Sequence, residues 1–198
     1  MYLHRKLENK VNFFRKIKEL DFILLLCILL LGLISLATMY STDSGELLFH
    51  TKSHFFKFTI FTLMMLLISF LNIKFWFSIG YLSYLITIVM LIYTINFGIT
   101  ASGSQRWINL YFINIQPSEL MKIFIILCLA KYFHRKRLDN VNSFYSVIIS
   151  LIIIFLPMSL VIIQPDLGTS LLISISGIIV LWFAGLNHKY FFYSILIS

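Results

Sequence analysis

The chain has 198 residues, of which 60% are hydrophobic and 12% are charged, and its mean hydropathy is +0.93. Soluble domains are about 45–50% apolar, so this composition excludes an ordinary soluble domain and places most of the chain in lipid. The formal net charge of +8 does not indicate nucleic-acid binding, because the basic residues lie between apolar runs and not across one soluble face.

A helix needs about 20 apolar residues to cross the hydrocarbon core of a bilayer. By this length the sequence predicts six spans, at residues 22–40, 55–72, 75–96, 117–133, 143–163 and 166–186, and the final stretch "KYFFYSILIS" is typical of the start of a seventh. The basic segment 1–20 precedes a first span that is too long for the apolar part of a signal peptide and lacks a cleavage site. The predicted fold class is therefore all-α, a polytopic membrane helix bundle over residues 21–198.

The Lys and Arg residues of the short flanks are divided unequally between the two sides of the membrane. With the N-terminus in the cytoplasm, Lys52, Lys57 and Arg106 lie outside, and the inside collects Arg5, Lys6, Lys10, Arg15, Lys16, Lys18, Lys74, Lys131, Arg135, Lys136, Arg137 and Lys189. This asymmetry predicts a cytoplasmic N-terminus and places segments 41–54, 97–116 and 163–166 on the outer face. The inner basic clusters either determine topology alone or also attract anionic lipid head groups.

The outer segment 97–116 contains the polar stretch "GSQRWINL". Gly103 permits a tight backbone, and the planar guanidinium of Arg106 suits a phosphate or a carboxylate. Trp107 suits the membrane interface, and a Trp beside an Arg is also typical of simple anchoring. Both interpretations stay open at this point.

The stretch "QPSELMK" predicts the start of a helix. Pro117 fits the first helical position, which makes Gln116 the N-cap and places Glu119 in the first turn. Glu119 and Lys122 are three residues apart and share a helix face. An ionisable pair in an apolar helix indicates a functional site, although a capping salt bridge that only sets packing is the alternative.

The stretch "QPDLGTS" repeats this pattern on the same side of the membrane. It predicts Gln164 as the cap, Pro165 at the first helical position and Asp166 in the first turn, where capping alone is again the alternative. Further along, small residues predict close packing on one side of the helix: Ser170, Ser174, Gly177 and Gly185.

Both Gln-Pro helices point their positive ends toward the outer leaflet. With Arg106 nearby, these ends would suit an anionic group such as a lipid pyrophosphate. Alternatively, Glu119 and Asp166 satisfy the helix ends themselves or hold a divalent cation. No P-loop, H-E-x-x-H motif or Ser-His-Asp arrangement is present, and His50 and His54 lack further ligands and are expected at the interface.

Four stretches, in order along the chain, resemble the motifs of the shape, elongation, division and sporulation (SEDS) family of bacterial membrane proteins: "GSQRWINL", "QPSELMK", "CLAKYFHRKR" and "QPDLGTS". The stretch "QPDLGTSLLISISGIIVLWFAGL" is more similar to the RodA branch of the family than to the FtsW branch. The sequence departs from the first motif at Tyr111, where the family has Gly.

The resemblance implies a peptidoglycan glycosyltransferase of the RodA type, which polymerises lipid II on the outer face of the bacterial cytoplasmic membrane for cell-wall elongation and rod shape. The implied partners are lipid II, a class B penicillin-binding protein and other membrane proteins of the elongation complex, with no nucleic acid, and Mg or Mn is a candidate divalent cofactor. Matching motif positions place seven residues at the implied substrate cavity: Arg106, Trp107, Gln116, Glu119, Lys122, Asp166 and Thr169.

The resemblance covers the chain from about Asp21 onward but only the first half of the family's fold. The acidic residue regarded as catalytic in the family lies in the second half and falls after residue 198, so no catalytic residue is assigned. We expect either a separately encoded second half or a truncated product. A lipid II flippase and an inactive remnant or scaffold stay open as alternative functions.

Overall fold

The computed structural model describes residues 18–46, 48–101, 104–110, 114–134, 136 and 138–187. Most of the predicted basic segment, the predicted start of a seventh helix, and the motif residues Gly103, Tyr111, Arg135 and Arg137 lie outside these ranges. The described helices are α1 (Phe22–Thr42), α2 (Phe49–Ser69), α3 (Ile73–Phe97), α4 (Pro117–Phe133), the single turn α5 (Leu138–Val141), α6 (Phe144–Ile163) and α7 (Leu167–Phe183).

The predicted all-α class is confirmed, and each of the six predicted spans coincides with a long helix. Three of these helices, α1, α3 and α6, are long and apolar enough to cross a membrane by length and composition. α4 and α7 have 17 residues each, at the short end of the spanning range. α2 begins before the predicted residue 55, because the helix continues through a polar stretch that an apolar criterion excludes.

The chain divides into two compact units, residues 1–72 and 73–198. In the first unit, α1 and α2 pack as a helical hairpin. The ring of Phe58 lies against Gly32, where no side chain intervenes. Ser35 Oγ and His54 Nε2 form a hydrogen bond of 2.9 Å, so His54 joins the two helices of the hairpin and does not serve only as the interfacial residue that the sequence predicted.

The second unit is built around α4, which packs against α3, α6 and α7. Its core consists of large apolar side chains from all four helices: Leu91, Met121, Ile125, Leu129, Ile154, Val161, Ile173 and Leu181. The predicted small-residue face of α7 is confirmed at Ser170, Ser174 and Gly177, which are buried. A Cβ added at Gly177 would lie 2.5 Å from Ile154 Cγ1, so α6 and α7 cross closely there.

Gly185 does not belong to this small-residue face, and its predicted placement was wrong. α7 ends at Phe183, and Gly185 follows with a φ of +88°, a left-handed conformation that glycine adopts without strain. The N–H of Gly185 donates to Trp182 O, and the N–H of Leu186 donates to Leu181 O. This is the Schellman pattern, so Gly185 terminates the helix.

A proline inside α6 is matched by a hydrogen bond from a neighbouring helix. Pro157 has no N–H, so the carbonyl of Ile153 four residues earlier loses its intrahelical donor. The hydroxyl of Tyr84 on α3 donates to that carbonyl at 2.9 Å. The apolar interior therefore contains no orphaned carbonyl at this proline.

The outer segment between α3 and α4 forms a small antiparallel sheet that the sequence did not predict. Its strands are β1 (Ile99–Ala101), β2 (Ser104–Asn109) and β3 (Asn114–Ile115), in the spatial order β1-β2-β3. Trp107 pairs with Ile99, and Ile108 pairs with Ile115. Because side chains alternate along a strand, Ser104 and Arg106 share one face of β2 and Trp107 lies on the other.

Candidate functional site

The start of α4 is as predicted. Gln116 is the N-cap with extended backbone, Pro117 occupies the first helical position, and Glu119 lies in the first turn. The side chain of Gln116 makes no capping bond to its own helix. Its amide Nε2 instead donates to Asp166 Oδ2 at 3.4 Å, which joins the beginnings of α4 and α7.

The start of α7 differs from the prediction. The N-cap is Asp166 and not Gln164, because the short carboxylate reaches the third helical N–H: Asp166 Oδ1 accepts from the backbone of Thr169 at 3.2 Å. Gln164 ends α6 and is buried. Its amide donates to Leu91 O at 3.1 Å and to Thr94 Oγ1 at 2.9 Å, so Gln164 links the end of α6 to α3 by two hydrogen bonds.

An ion pair joins the sheet to the same carboxylate. Arg106 Nη1 lies 2.9 Å from Asp166 Oδ2, and only 9% of the Asp166 side chain is exposed, against 26% for Arg106. Arg106 Nε donates to Ser104 Oγ, whose residue is buried. Because a guanidinium is planar, fixing Nε and Nη1 fixes the direction of its other N–H groups.

These contacts define the Asp166 cluster: Arg106, Gln116, Asp166 and Thr169. Burial by itself would raise the pKa of Asp166, but the hydrogen bonds from Thr169 and the charge and hydrogen bond of Arg106 outweigh burial and hold the pKa below its usual value. Asp166 is therefore ionised at neutral pH and neutralises Arg106. A strand and two helix starts, far apart in sequence, meet at this one carboxylate.

Glu119 and Lys122 form a second ion pair on one face of α4, as predicted. Lys122 Nζ lies 2.8 Å from Glu119 Oε2 and 2.9 Å from Oε1. The Glu119 side chain is 55% exposed and that of Lys122 is 25% exposed. Among the described residues, no hydrogen bond or ion pair links this pair to the Asp166 cluster, so the two ion pairs are connected only through the first turns of α4.

Trp107 is not brought to the Asp166 cluster. It is half-buried on the face of β2 opposite Arg106. Its neighbour Gln105 donates to the carbonyl of Gly98 at 2.7 Å, so this face of β2 packs toward the end of α3. The structure therefore places Trp107 on the opposite face of β2 from Arg106.

Two serines of the site were missed from the sequence. Ser104 orients Arg106. The sequence signal for this contact is that Ser104 precedes Arg106 by two residues, which places both on one face only if the segment is known to be a strand. Ser118, the second residue of α4, is 1% exposed, and its hydroxyl has no hydrogen-bond partner in the described structure. A buried hydroxyl without a partner is destabilising, which makes Ser118 an unusual choice for this position.

The described part of the chain contains no group of three or more His, Cys, Asp or Glu side chains placed to bind a metal ion together. Each carboxylate at the site is already paired with a cation, Asp166 with Arg106 and Glu119 with Lys122. The described residues alone form no metal site, so Mg or Mn stays a prediction, and no step proposed below passes through a metal.

Several known proteins resemble this chain. A family model for FtsW, RodA and SpoVE, described as "Cell cycle protein", matches residues 18–198. The probable peptidoglycan glycosyltransferase FtsW of Buchnera aphidicola subsp. Baizongia pistaciae is 32% identical over 177 residues, which are 87% of this chain and 46% of that protein. The peptidoglycan glycosyltransferase MrdB of Escherichia coli K12 is 40% identical over 106 residues, which are 54% of this chain and 28% of that protein.

A solved structure has a similar fold. One chain of a peptidoglycan synthase complex that coordinates polymerization and crosslinking superimposes with a TM-score of 0.77 at 20% sequence identity. The match covers 89% of this chain and 51% of that chain. This similarity shows a shared polytopic helical fold. The chain thus spans about half the length, or less, of the proteins it matches.

Proposed function

The chain belongs to the FtsW/RodA/SpoVE family of cell cycle proteins, and we propose that it acts in a membrane-embedded peptidoglycan glycosyltransferase that polymerises lipid II. The observation that carries this proposal is the oriented guanidinium of Arg106 in the Asp166 cluster, where a strand and the positive ends of two helices meet. Relatives named as peptidoglycan glycosyltransferases support the reaction class.

The reaction moves a glycan from a lipid pyrophosphate to a sugar hydroxyl. The bond between the anomeric carbon and the pyrophosphate oxygen breaks, a new carbon–oxygen bond forms, and the acceptor hydroxyl loses its proton to a general base. The developing charge on the departing pyrophosphate requires preorganised cationic donors. Arg106 suits this role, because Ser104 and Asp166 hold two of its N–H groups and its remaining N–H groups can donate to phosphate oxygens.

Lys122 is the second cation at the site. It lies one turn below the start of α4 and is paired with the exposed carboxylate of Glu119. A pyrophosphate carries two phosphate groups, so we propose that Lys122 and Arg106 act at the same substrate. In this scheme Glu119 keeps Lys122 in place before substrate binds and limits the cost of an unpaired ammonium in an apolar helix.

The two carboxylates of the candidate site are poor candidates for the general base. Both oxygens of Asp166 accept hydrogen bonds, and its charge is neutralised by Arg106. Glu119 is neutralised by Lys122. Because each of these carboxylates is engaged in an ion pair, neither residue is assigned to proton transfer. We propose that Asp166 is a positioning residue for Arg106.

A role in cell elongation, as in RodA, is the finer proposal. The chain has higher identity to E. coli MrdB than to Buchnera FtsW, although the FtsW match covers more of the chain. Production of the chain with the second half of MrdB in cells depleted of MrdB tests this assignment. Rescue of rod shape supports elongation, and rescue of septation in FtsW-depleted cells instead supports division.

The proposed partners are lipid II, a class B penicillin-binding protein and other membrane proteins of the elongation complex. Support for the penicillin-binding protein comes from the shared fold with a chain of a complex that couples polymerization and crosslinking.

The chain is a membrane protein, and we propose that it lies in the bacterial cytoplasmic membrane with its N-terminus in the cytoplasm. In support, Lys131 and Lys136 lie at the end of α4 opposite to the Asp166 cluster.

Lipid II polymerisation tests the proposed reaction. The chain is co-purified with the second half of MrdB and a class B penicillin-binding protein, and conversion of fluorescent lipid II to glycan polymer is measured as bands on a gel. We expect polymer from this assembly, with intact MrdB as the positive control. Movement of labelled lipid II across vesicle membranes without polymer would instead support the flippase. Absence of both activities in a co-purified assembly would contradict the proposal.

A further inference from the structure

The hydroxyl of Ser118, at the second position of α4, differs from the other buried hydroxyls of the second unit. Ser118 is 1% exposed, and its Oγ has no hydrogen-bond partner in the described part of the chain. The residues one turn earlier lie in β3, so α4 offers it no carbonyl of its own. Six other buried hydroxyls each donate to a carbonyl three or four residues earlier: Ser83, Thr87, Thr94, Ser150, Ser170 and Ser174.

The backbone of Ser118 adds a second donor at the same point. Pro117 has no N–H, and the N–H of Glu119 donates to Gln116 O at 3.1 Å. The side chain of Gln116 does not cap the helix, because it donates to Asp166 instead. Among the described residues, the N–H of Ser118 has no acceptor. The positive end of α4 therefore carries two unpaired donors on one residue, which is an arrangement that suits an anion.

Ser118 also lies between the two cations of the candidate site. Gln116, two residues earlier, bonds to the carboxylate that pairs with Arg106, and Glu119, the next residue, pairs with Lys122. A pyrophosphate that contacts both cations therefore crosses the first turn of α4. Ionised phosphate oxygens only accept hydrogen bonds, so they complement a hydroxyl and an N–H that lack acceptors.

We propose that Ser118 is a substrate-binding residue, whose hydroxyl and N–H donate to a phosphate oxygen of the lipid-linked pyrophosphate. This inference rests on the proposed function, in which Arg106 and Lys122 act on the same pyrophosphate. A buried hydroxyl without a partner destabilises the ligand-free chain, and alanine at this position would avoid that cost. The substrate supplies the missing acceptor, which accounts for a serine at this position.

The start of α4 must move for the substrate to reach Ser118, because its Oγ is closed to solvent in this conformation. A polar link between the starts of α4 and α7 is the hydrogen bond from Gln116 to Asp166. At 3.4 Å it is longer than an ordinary hydrogen bond, so breaking it costs little. In the proposed complex this bond opens and Ser118 contacts the phosphate.

Binding of undecaprenyl pyrophosphate to the full chain tests the proposal without requiring turnover. The chain is purified in a neutral detergent and titrated by native mass spectrometry, with undecaprenol as the lipid that lacks phosphate and inorganic pyrophosphate as the anion that lacks lipid. A hydrogen bond to a charged group changes affinity by about tenfold or more. We expect Ser118→Ala to weaken binding about tenfold. Ser150→Ala, which removes a buried hydroxyl from α6, should leave binding unchanged.

The unfolding midpoint of the ligand-free chain separates substrate binding from a structural role. Ser118→Ala breaks no hydrogen bond of the described chain, so the midpoint should stay the same or rise. A lowered midpoint would show that the hydroxyl has a partner before the ligand binds, and it would overturn the proposal.

The remaining outcomes of the titration also decide the question. Unchanged affinity in Ser118→Ala, together with weaker binding in Arg106→Gln, would exclude Ser118 and leave the proposed function intact. Equal binding of undecaprenyl pyrophosphate and undecaprenol would contradict both Ser118 and the proposed role of Arg106. Equally tight binding of inorganic pyrophosphate would exclude a lipid-linked ligand, and equal losses in Ser118→Ala and Ser150→Ala would exclude a specific contact. If Ser118→Ala does not fold, Ser118→Gly also removes the hydroxyl, and unchanged affinity in that variant would contradict the proposal.

Discussion

The carboxylate of Asp166 has two separable tasks, and two substitutions distinguish them. Asp166→Asn keeps an N-cap oxygen for Thr169 but removes the charge that pairs with Arg106. Asp166→Ala removes both. Because the side chain of Asp166 is 9% exposed, the pair is largely shielded from water. A hydrogen bond to a charged group contributes about 1.5–3 kcal/mol, so Asp166→Asn should lower the free energy of unfolding by that amount.

Asp166→Ala should cost about 1 kcal/mol more than Asp166→Asn, because an N-cap is also lost. Asp21 is the matched control: it caps α1 by accepting from the N–H groups of Ile23 and Leu24, and the described part of the chain gives it no ion pair. Asp21→Asn should therefore be nearly neutral, while Asp21→Ala should cost about 1 kcal/mol.

Thermal unfolding in detergent, followed by tryptophan fluorescence, measures these differences. About 2–4 °C per kcal/mol is typical of chains of this size, so Asp166→Asn should lower the midpoint by about 3–12 °C. A double-mutant cycle with Arg106→Gln should show strong coupling, because each single change already breaks the ion pair. Additive effects of Asp166→Asn and Arg106→Gln, or an equal loss in Asp21→Asn, would refute the reasoning.

Three further predictions concern the second unit. Tyr84→Phe should cost about 1–3 kcal/mol in unfolding free energy, since it orphans the carbonyl of Ile153; an unchanged midpoint would show that this carbonyl has another donor. Gly177→Val should cost about 1–3 kcal/mol by overpacking against Ile154, and Ile154→Ala in the same chain should restore part of it; no restoration would place the clash elsewhere. The pKa of Asp166 is lower in the folded chain than its ordinary value of 3.8, so its charge stabilises the fold fully above pH 3.8 and this stabilisation is lost as the pH falls through the folded pKa. The acid unfolding curves of wild type and Asp166→Asn should therefore converge at low pH. Curves that stay parallel would contradict this.

The helices were predictable because lipid imposes one strong requirement, a long apolar run for each span. That requirement is weakest at polar helix ends, which explains why α2 begins at Phe49 and not at the predicted residue 55. The small sheet escaped prediction because its strands have only two to six residues, too few for a periodic pattern to be visible. The placement of Ser104 and Trp107 on opposite faces depends on that sheet.

The helix starts show how far local rules extend. The Gln-Pro pattern correctly gave Gln116 as the N-cap of α4, because Pro117 suits the first helical position. The same pattern failed at Gln164, since Asp166 is shorter, charged and a better cap. Local rules name the candidate residues but not their partners: nothing in the sequence shows that Gln116 and Arg106 both reach Asp166.

The most direct test of the proposed function is the rate of lipid II polymerisation after Arg106→Lys. Lysine keeps the charge but lacks the planar fork that Ser104 and Asp166 orient. In the co-purified assembly with the second half of MrdB, the rate should fall about tenfold or more, while Lys52→Gln, which removes an exposed cation on α2, should leave it unchanged. A wild-type rate in an assembly that contains Arg106→Lys would contradict the proposal that this guanidinium binds the pyrophosphate.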